Sequence, residues 1–280
     1  RAGFSARDAA REALEGFSYI LWIKDFLSDF DRNFQDFAAL SETIPERFFS
    51  KNRLTVSMTG GDEKLEEMAA RTFPAGGKDK PGLASYKVTT PPREGVIIPS
   101  AVSYACLACD PGGAGGVYSG PWLALDQVLS MEYLWNKIRV QGGAYGAGFT
   151  VDRSAVSAFY SYRDPSPDKS LETYRQTPAF LLDFSGSDMD LERYIMGKVG
   201  DLDPPLSYKG QTDLADSWFL SGYSAEDAHK LRRELMESRK TDLIPLAGLL
   251  EEALQSSRIC VAGPAKALEN LPDIHLIDIS

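Results

Sequence analysis

Two periodicities divide the chain. In FSYILWIKDFLSDF, residues 17–30, apolar side chains recur at three- and four-residue steps, the mark of a helical face, and residues 6 to 49 read as helices throughout. NRLTVSMTGGDEKLEEMAARTF (52–73) predicts a short apolar strand, a Thr-Gly-Gly turn and an acidic helix start. PAGGKDKPGLASYKVTTPPREG (74–95) is rich in Gly, Pro and Lys and reads as a linker or long surface loop.

Beyond that loop the pattern changes. GVIIPSAVSYACLAC (95–109) predicts one or two strands and GPWLALDQVLSMEYLWNKIRV (120–140) a helix. GAYGAGFTVDRSAVSAFYSYRD (143–164) reads as a hairpin, with two-residue alternation placing Val156, Ala158, Tyr160 and Tyr162 on one face. Helices follow over 170–184 and 189–200, a proline-broken turn at DLDPPLS, and helices over 214–238, where Ser224 and Asp227 have capping-box spacing. A last long helix covers 241–256; then come a strand, a turn, a short helix and the closing strand IHLIDI. The sum is an α+β domain over 95–280, an antiparallel-leaning sheet with helices packed on one face. Residues 1–74 read as the tail of a preceding domain and 75–94 as the linker.

Composition narrows the function. A net charge of −10 and a pI near 4.8 argue against nucleic-acid binding and suit basic peptides. No apolar run approaches the roughly 20 residues of a membrane span, and no signal peptide is visible. The chain opens mid-helix without Met, which raises the expectation of a fragment. Cys106, Cys109 and Cys260 make an odd count, pointing to a reducing compartment; the expected location is a bacterial cytoplasm, or an organellar matrix if the parent is eukaryotic. Cys106 and Cys109 form a C-x-x-C, but residues three apart on a strand face opposite ways, so structural cysteines are expected rather than a metal pair.

Candidate chemistry is sparse. Neither His229 nor His275 lies in a zinc-peptidase motif, no G-x-S-x-G occurs, and no glycine-rich stretch continues as a phosphate-binding loop. What remains is EYLWNKIRVQGGAYGAGF (132–149), a helix meeting a glycine turn and then a strand. Gly142 and Gly143 stop the helix and permit positive φ. Such a corner could aim Arg139, a forked donor for a carboxylate or carbonyl, and Tyr145, a phenolic donor for an oxyanion, into one place. The structural alternative is open at this point: Arg suits a helix C-terminus and Tyr packs on a strand. Tyr133 and Trp135 read as core, and Tyr160 and Tyr162 as either a cavity wall or packing.

LWNKIRVQGGAYGAGF resembles a signature of the M16 metallopeptidases, the pitrilysin and insulin-degrading enzyme class, nearest the presequence protease branch. RLTVSMTG, SAFYSYRDPSPDKSLETY and MGKVGDLDPPLS resemble stretches of that branch in the same order, so the resemblance runs from about residue 15 to residue 262. It implies four homologous α/β domains closing around a chamber for unfolded peptides. Zinc and a general-base Glu would come from an inverted H-x-x-E-H in the first domain, which this chain lacks. The last domain would supply Arg139 to anchor substrate and Tyr145 to stabilise the tetrahedral intermediate, with Gly142, Gly143 and Ala144 lining the substrate path. On that reading the chain is inactive alone, binds no metal, and has as partners the N-terminal half of the same polypeptide and unfolded peptides, not nucleic acid or membrane. The alternatives are a non-catalytic M16-like subunit, or an unrelated interaction domain in which GGAYG is only a tight turn.

Overall fold

A computed structural model describes residues 1–49, 56–57, 64–72, 91–184 and 186–279. The expected strand and turn near 52–61, Val56 and Ser57 aside, and the expected loop from 74 through 90 lie outside the described residues. In chain order the elements are α1 (Ala6–Glu15), α2 (Phe17–Ser28), α3 (Phe30–Phe48), α4 (Lys64–Thr72), β1 (Arg93–Ile97) and β2 (Ser103–Cys109). Next come α5 (Gly120–Val128), which continues as a π-helical segment (Leu129–Val140), then β3 (Gly146–Val151) and β4 (Ser157–Asp164). The helices α6 (Pro167–Arg175), α7 (Thr177–Asp183), α8 (Asp188–Leu202), α9 (Tyr208–Ser221), α10 (Ala225–Glu237) and α11 (Lys240–Gln255) follow. The chain closes with β5 (Arg258–Gly263), α12 (Ala265–Leu268) and β6 (His275–Asp278).

These elements form two compact units. One holds residues 1–14, 86–204 and 226–280; the other holds 15–85 and 205–225. The division differs from a cut near residue 74 in two ways: the N-terminal residues belong with the sheet, and α9 belongs with the helices of 15–85.

The sheet is ordered β3-β4-β2-β5-β1-β6. β3/β4, β4/β2 and β2/β5 are antiparallel, while β1 runs parallel to both β5 and β6. The mixed pairing follows from connection length. β3 and β4 are joined by a tight turn and pair antiparallel, whereas β5 reaches β6 through α12 and the intervening loop. Alternation sorts the strands into two faces. Ala105, Leu107, Cys109, Phe149, Phe159, Ile259 and Val261 face the main core, where α5, the π segment, α6, α7 and α11 bring Trp122, Leu125, Leu134, Tyr174 and Leu250. Cys106 therefore points away from the core that Cys109 enters, as strand geometry requires.

The second face is not bare. Ala9 of α1 is buried, the Arg258 guanidinium lies 5.7 Å from the Phe4 ring, and Arg1 donates to the Thr150 carbonyl at 3.3 Å. The helices between α5 and α11 named above thus cover one face, and the N-terminal segment with α1 covers part of the other. The rest of that face shows Tyr104, Tyr160 and Tyr162 to solvent.

The second unit is described by itself. In α2 and α3 a run of aromatic contacts links Trp22 to Phe26, and Phe26 to Phe30 and Phe37. Neither α2 nor α9 has a buried residue.

Candidate functional site at the glycine turn

The site begins in the helix that leads to it. Buried apolar residues in the π segment are Leu129, Tyr133, Leu134 and Ile138, spaced four to five apart instead of three to four. That spacing keeps one stripe on the core when each backbone bond reaches five residues back. The bond from the Gln141 N–H to the Asn136 carbonyl is one such. Side-chain ties hold the segment in place. Tyr133 Oη donates to the Thr173 carbonyl at 3.0 Å, and its ring stacks on Phe180 at 4.4 Å. The Tyr194 hydroxyl donates to the Glu132 carboxylate; burial first, and then that carboxylate, push its phenol up to about 12. Ser130 Oγ accepts from the Phe149 N–H at 3.0 Å, fixing the segment against β3.

Two glycines then turn the chain. Gly143 has φ of +80°, where a Cβ is strained. Gly142 has no room for one: a Cβ there would stand 2.6 Å from the Ile138 carbonyl oxygen. The Gly143 N–H donates to the Arg139 carbonyl and the Ala144 N–H to the Ile138 carbonyl. Each of these bonds spans one residue more than in the closure that commonly ends an α-helix, as a π-helical last turn demands.

This corner brings Arg139 and Tyr145 together. Arg139 Cζ lies 3.8 Å from the Trp135 ring centroid and 5.9 Å from that of Tyr145. Tyr145 is 59% exposed, and its ring packs on Tyr162 at 5.6 Å. Tyr162 and Tyr160 can lie across β3 because residues 146 and 148 are glycines; a Cβ on Gly148 would meet the Tyr160 hydroxyl at 2.6 Å. The result is an open aromatic shelf carrying a guanidinium and a phenol. A guanidinium held by stacking keeps its N–H fork free, and an exposed phenol can donate to a developing oxyanion.

The remaining expected contacts have structural work. Ala144 is buried and its N–H is taken by Ile138, and the Gly143 N–H is taken by Arg139. Gly142, with Lys137, Gln141, Lys169 and Gln176, lines a polar cleft of about 410 Å³ beside α6, which Arg139 and Tyr145 do not line. Trp135 corrects an expectation: it is 38% exposed and covers Arg139 instead of filling the core, because the π winding turns it outward. Tyr133 is core as expected. Arg163, which nothing in the sequence singled out, has its Cζ 5.5 Å from the Tyr145 ring.

A zinc ion needs three or four converging imidazole, thiolate or carboxylate donors. Among the described residues no group of three or more His, Cys, Asp or Glu side chains is placed to hold a metal. His275 stands opposite Glu94 across β6 and β1, while His229 sits on α10. Burial pushes the thiols of Cys109 and Cys260 up to about 12, and Cys106 and Cys109 point to opposite faces of β2. These residues do not fit the group.

A profile described as the PreP C-terminal domain matches residues 93–262, the strands β1 to β5 and everything between them. The chain belongs to this family. It is 28% identical over 262 residues to presequence protease 1, chloroplastic/mitochondrial, of Arabidopsis thaliana, covering 86% of this chain and 23% of that protein. It is 26% identical over 275 residues to protein HypA of Clostridium perfringens, covering 96% of this chain and 28% of HypA. The mitochondrial presequence protease of Aspergillus fumigatus is 33% identical over 60% of the chain. The chain thus spans about a quarter of the length of the first two relatives. Among solved structures, a protease from Helicobacter pylori superposes with a TM-score of 0.54 at 13% identity, covering 73% of this chain and 53% of the other. A conserved protein from Enterococcus faecalis V583 superposes with a TM-score of 0.50 at 13% identity, covering 73% of this chain and 50% of its own. At such identities the likeness establishes the fold, and the family makes that fold the C-terminal part of an M16 presequence-protease-like protein.

Proposed function

We propose that this chain is the substrate-contacting C-terminal portion of a zinc-dependent endopeptidase that degrades unfolded peptides inside a closed chamber. Zinc and the general base belong to the N-terminal portion of the parent protein. Arg139 anchors the peptide by its N–H fork, and Tyr145 donates its phenolic proton to the oxyanion of the tetrahedral intermediate. Trp135 holds the guanidinium, and Gly142, Gly143 and Ala144 shape the corner. The observation that carries this reading is the approach of the half-buried Arg139 to the exposed Tyr145, 5.9 Å from Cζ to ring centroid. Names of the relatives add weight: two are presequence proteases, described as mitochondrial or chloroplastic. No helix among the described residues is long and apolar enough to cross a membrane, and an organellar matrix or a bacterial cytoplasm would both suit such an enzyme.

The test is Tyr145→Phe in the full-length parent, assayed on a quenched, unstructured peptide. Losing one oxyanion donor lowers kcat by roughly 10²–10³ and leaves KM little changed. Wild-type kcat in that variant rejects the role.

A further inference from the structure

Arg163 stands where an arginine is unfavourable. Its φ is +49°, in the left-handed region that suits glycine. The strand register explains the backbone there. Tyr104 pairs with Tyr162, but the adjacent Ser103 pairs with Asp164, so Arg163 is the extra residue of a β-bulge. In bulges of this kind the left-handed position is ordinarily glycine. Here the next residue overrides that preference. Asp164 is 1% exposed and accepts from the Ser161 and Ser170 hydroxyls, both at 2.6 Å, and from the Ser166 N–H at 2.8 Å. Asp164 is thus held on the core side of the sheet, directly after the bulged Arg163.

The bulge turns the Arg163 side chain toward the shelf. It is exposed, and its Cζ lies 5.5 Å from the Tyr145 ring centroid, while Arg139 approaches the same ring from the π segment at 5.9 Å. Among the described residues neither guanidinium has a carboxylate within ion-pair distance. In a chain of net charge −10, two unneutralised guanidinium groups around one phenol make a local receptor for an anion. Strain retained beside a site points to use of the strained side chain.

We propose that Arg163 and Arg139 form a carboxylate subsite beside Tyr145, which selects peptides bearing a carboxylate next to the cleaved bond. The carboxylate is an acidic side chain or the free C-terminus. The proposal rests on the reading that Arg139 and Tyr145 meet the substrate.

The experiment uses the full-length parent and two pairs of labelled peptides, Glu against Gln beside the cleaved bond and free acid against amide at the C-terminus. Cleavage, binding by fluorescence anisotropy and thermal unfolding are read for wild type and Arg163→Gly. Wild type prefers the carboxylate member of one pair by roughly tenfold in kcat/KM, as a charge-assisted hydrogen bond supplies, and the pair concerned identifies the source. Arg163→Gly brings that ratio close to one while unfolding at the same or a higher temperature, because glycine suits the bulge. A wild type blind to carboxylates in both pairs, or a variant that keeps the preference, overturns the proposal. Cleavage that needs Tyr145 but ignores carboxylates removes the subsite and leaves the peptidase reading intact. Arg163-dependent binding of carboxylate peptides without cleavage does the reverse.

Discussion

At the scale of single residues, the site is a guanidinium steadied by an indole. The 3.8 Å approach of Arg139 to Trp135 is a stacking contact, worth about 1 kcal/mol at a partly exposed site. Trp135→Leu in the full-length enzyme therefore lowers kcat/KM about fivefold, Trp135→Phe recovers most of it, and the unfolding temperature stays put. A loss of stability instead of activity would return Trp135 to the core role its sequence context suggests. A second residue-scale prediction concerns Asp126 and Lys198, a largely buried pair at 3.1 Å joining α5 and α8. Burial raises the Asp126 carboxyl above its ordinary value, against the lowering by Lys198. A carboxyl raised on folding supports the fold at low pH, and that support is lost as pH rises through the raised value. Lys198→Met removes the lowering partner, so it destabilises by about 3–5 kcal/mol near pH 7 and by clearly less near pH 4, measured by urea unfolding at both. Equal losses at both values would mean that the pair carries no buried charge. That Arg139 and Tyr145 meet at one corner was legible in the sequence, because their spacing across the glycines fits a recognisable signature. Arg163 was not, since its importance lies in a backbone angle that arginine rarely adopts.

At the scale of elements, the corner depends on how a π-helical segment ends. The two glycines do different work, and their variants separate it. Gly142→Ala drives a Cβ to 2.6 Å from the Ile138 carbonyl and must open the turn, whereas Gly143→Ala meets nothing nearer than Pro165 at 3.7 Å and costs only its backbone angle. Urea unfolding should therefore rank Gly142→Ala as the more destabilising, with Gly143→Ala losing about 1–2 kcal/mol and Gly143→Asn less. A Gly143→Ala protein as stable as wild type would contradict the positive φ. The helix, the turn and the hairpin could all be read from periodicity. The π winding was also written in the spacing of Leu129, Tyr133, Leu134 and Ile138, though a helical reading by threes and fours passes over it. The parallel placing of β1 between β5 and β6 was not legible, because it depends on residues more than 150 positions apart meeting at one edge.

At the scale of the whole molecule, the sheet unit carries its own core, while α2 and α9 bury nothing and show Trp22, Phe219 and Leu220 to solvent. Apolar surface of that kind marks a face that another part of a protein covers. It accords with a chain spanning about a quarter of its relatives' length. Periodicity pointed to α+β with a break near residue 74; it could not show that the N-terminal residues return to the sheet, since that depends on contacts such as Arg1 with Asp152. The most direct test of the central claim is hydrolysis of a quenched, unstructured peptide with zinc present, by this chain alone and mixed with the N-terminal portion of the parent. The account predicts activity in the mixture only, and its loss when the chain carries Arg139→Ala. A bound but inactive mixture, or a mixture indifferent to Arg139→Ala, would contradict it.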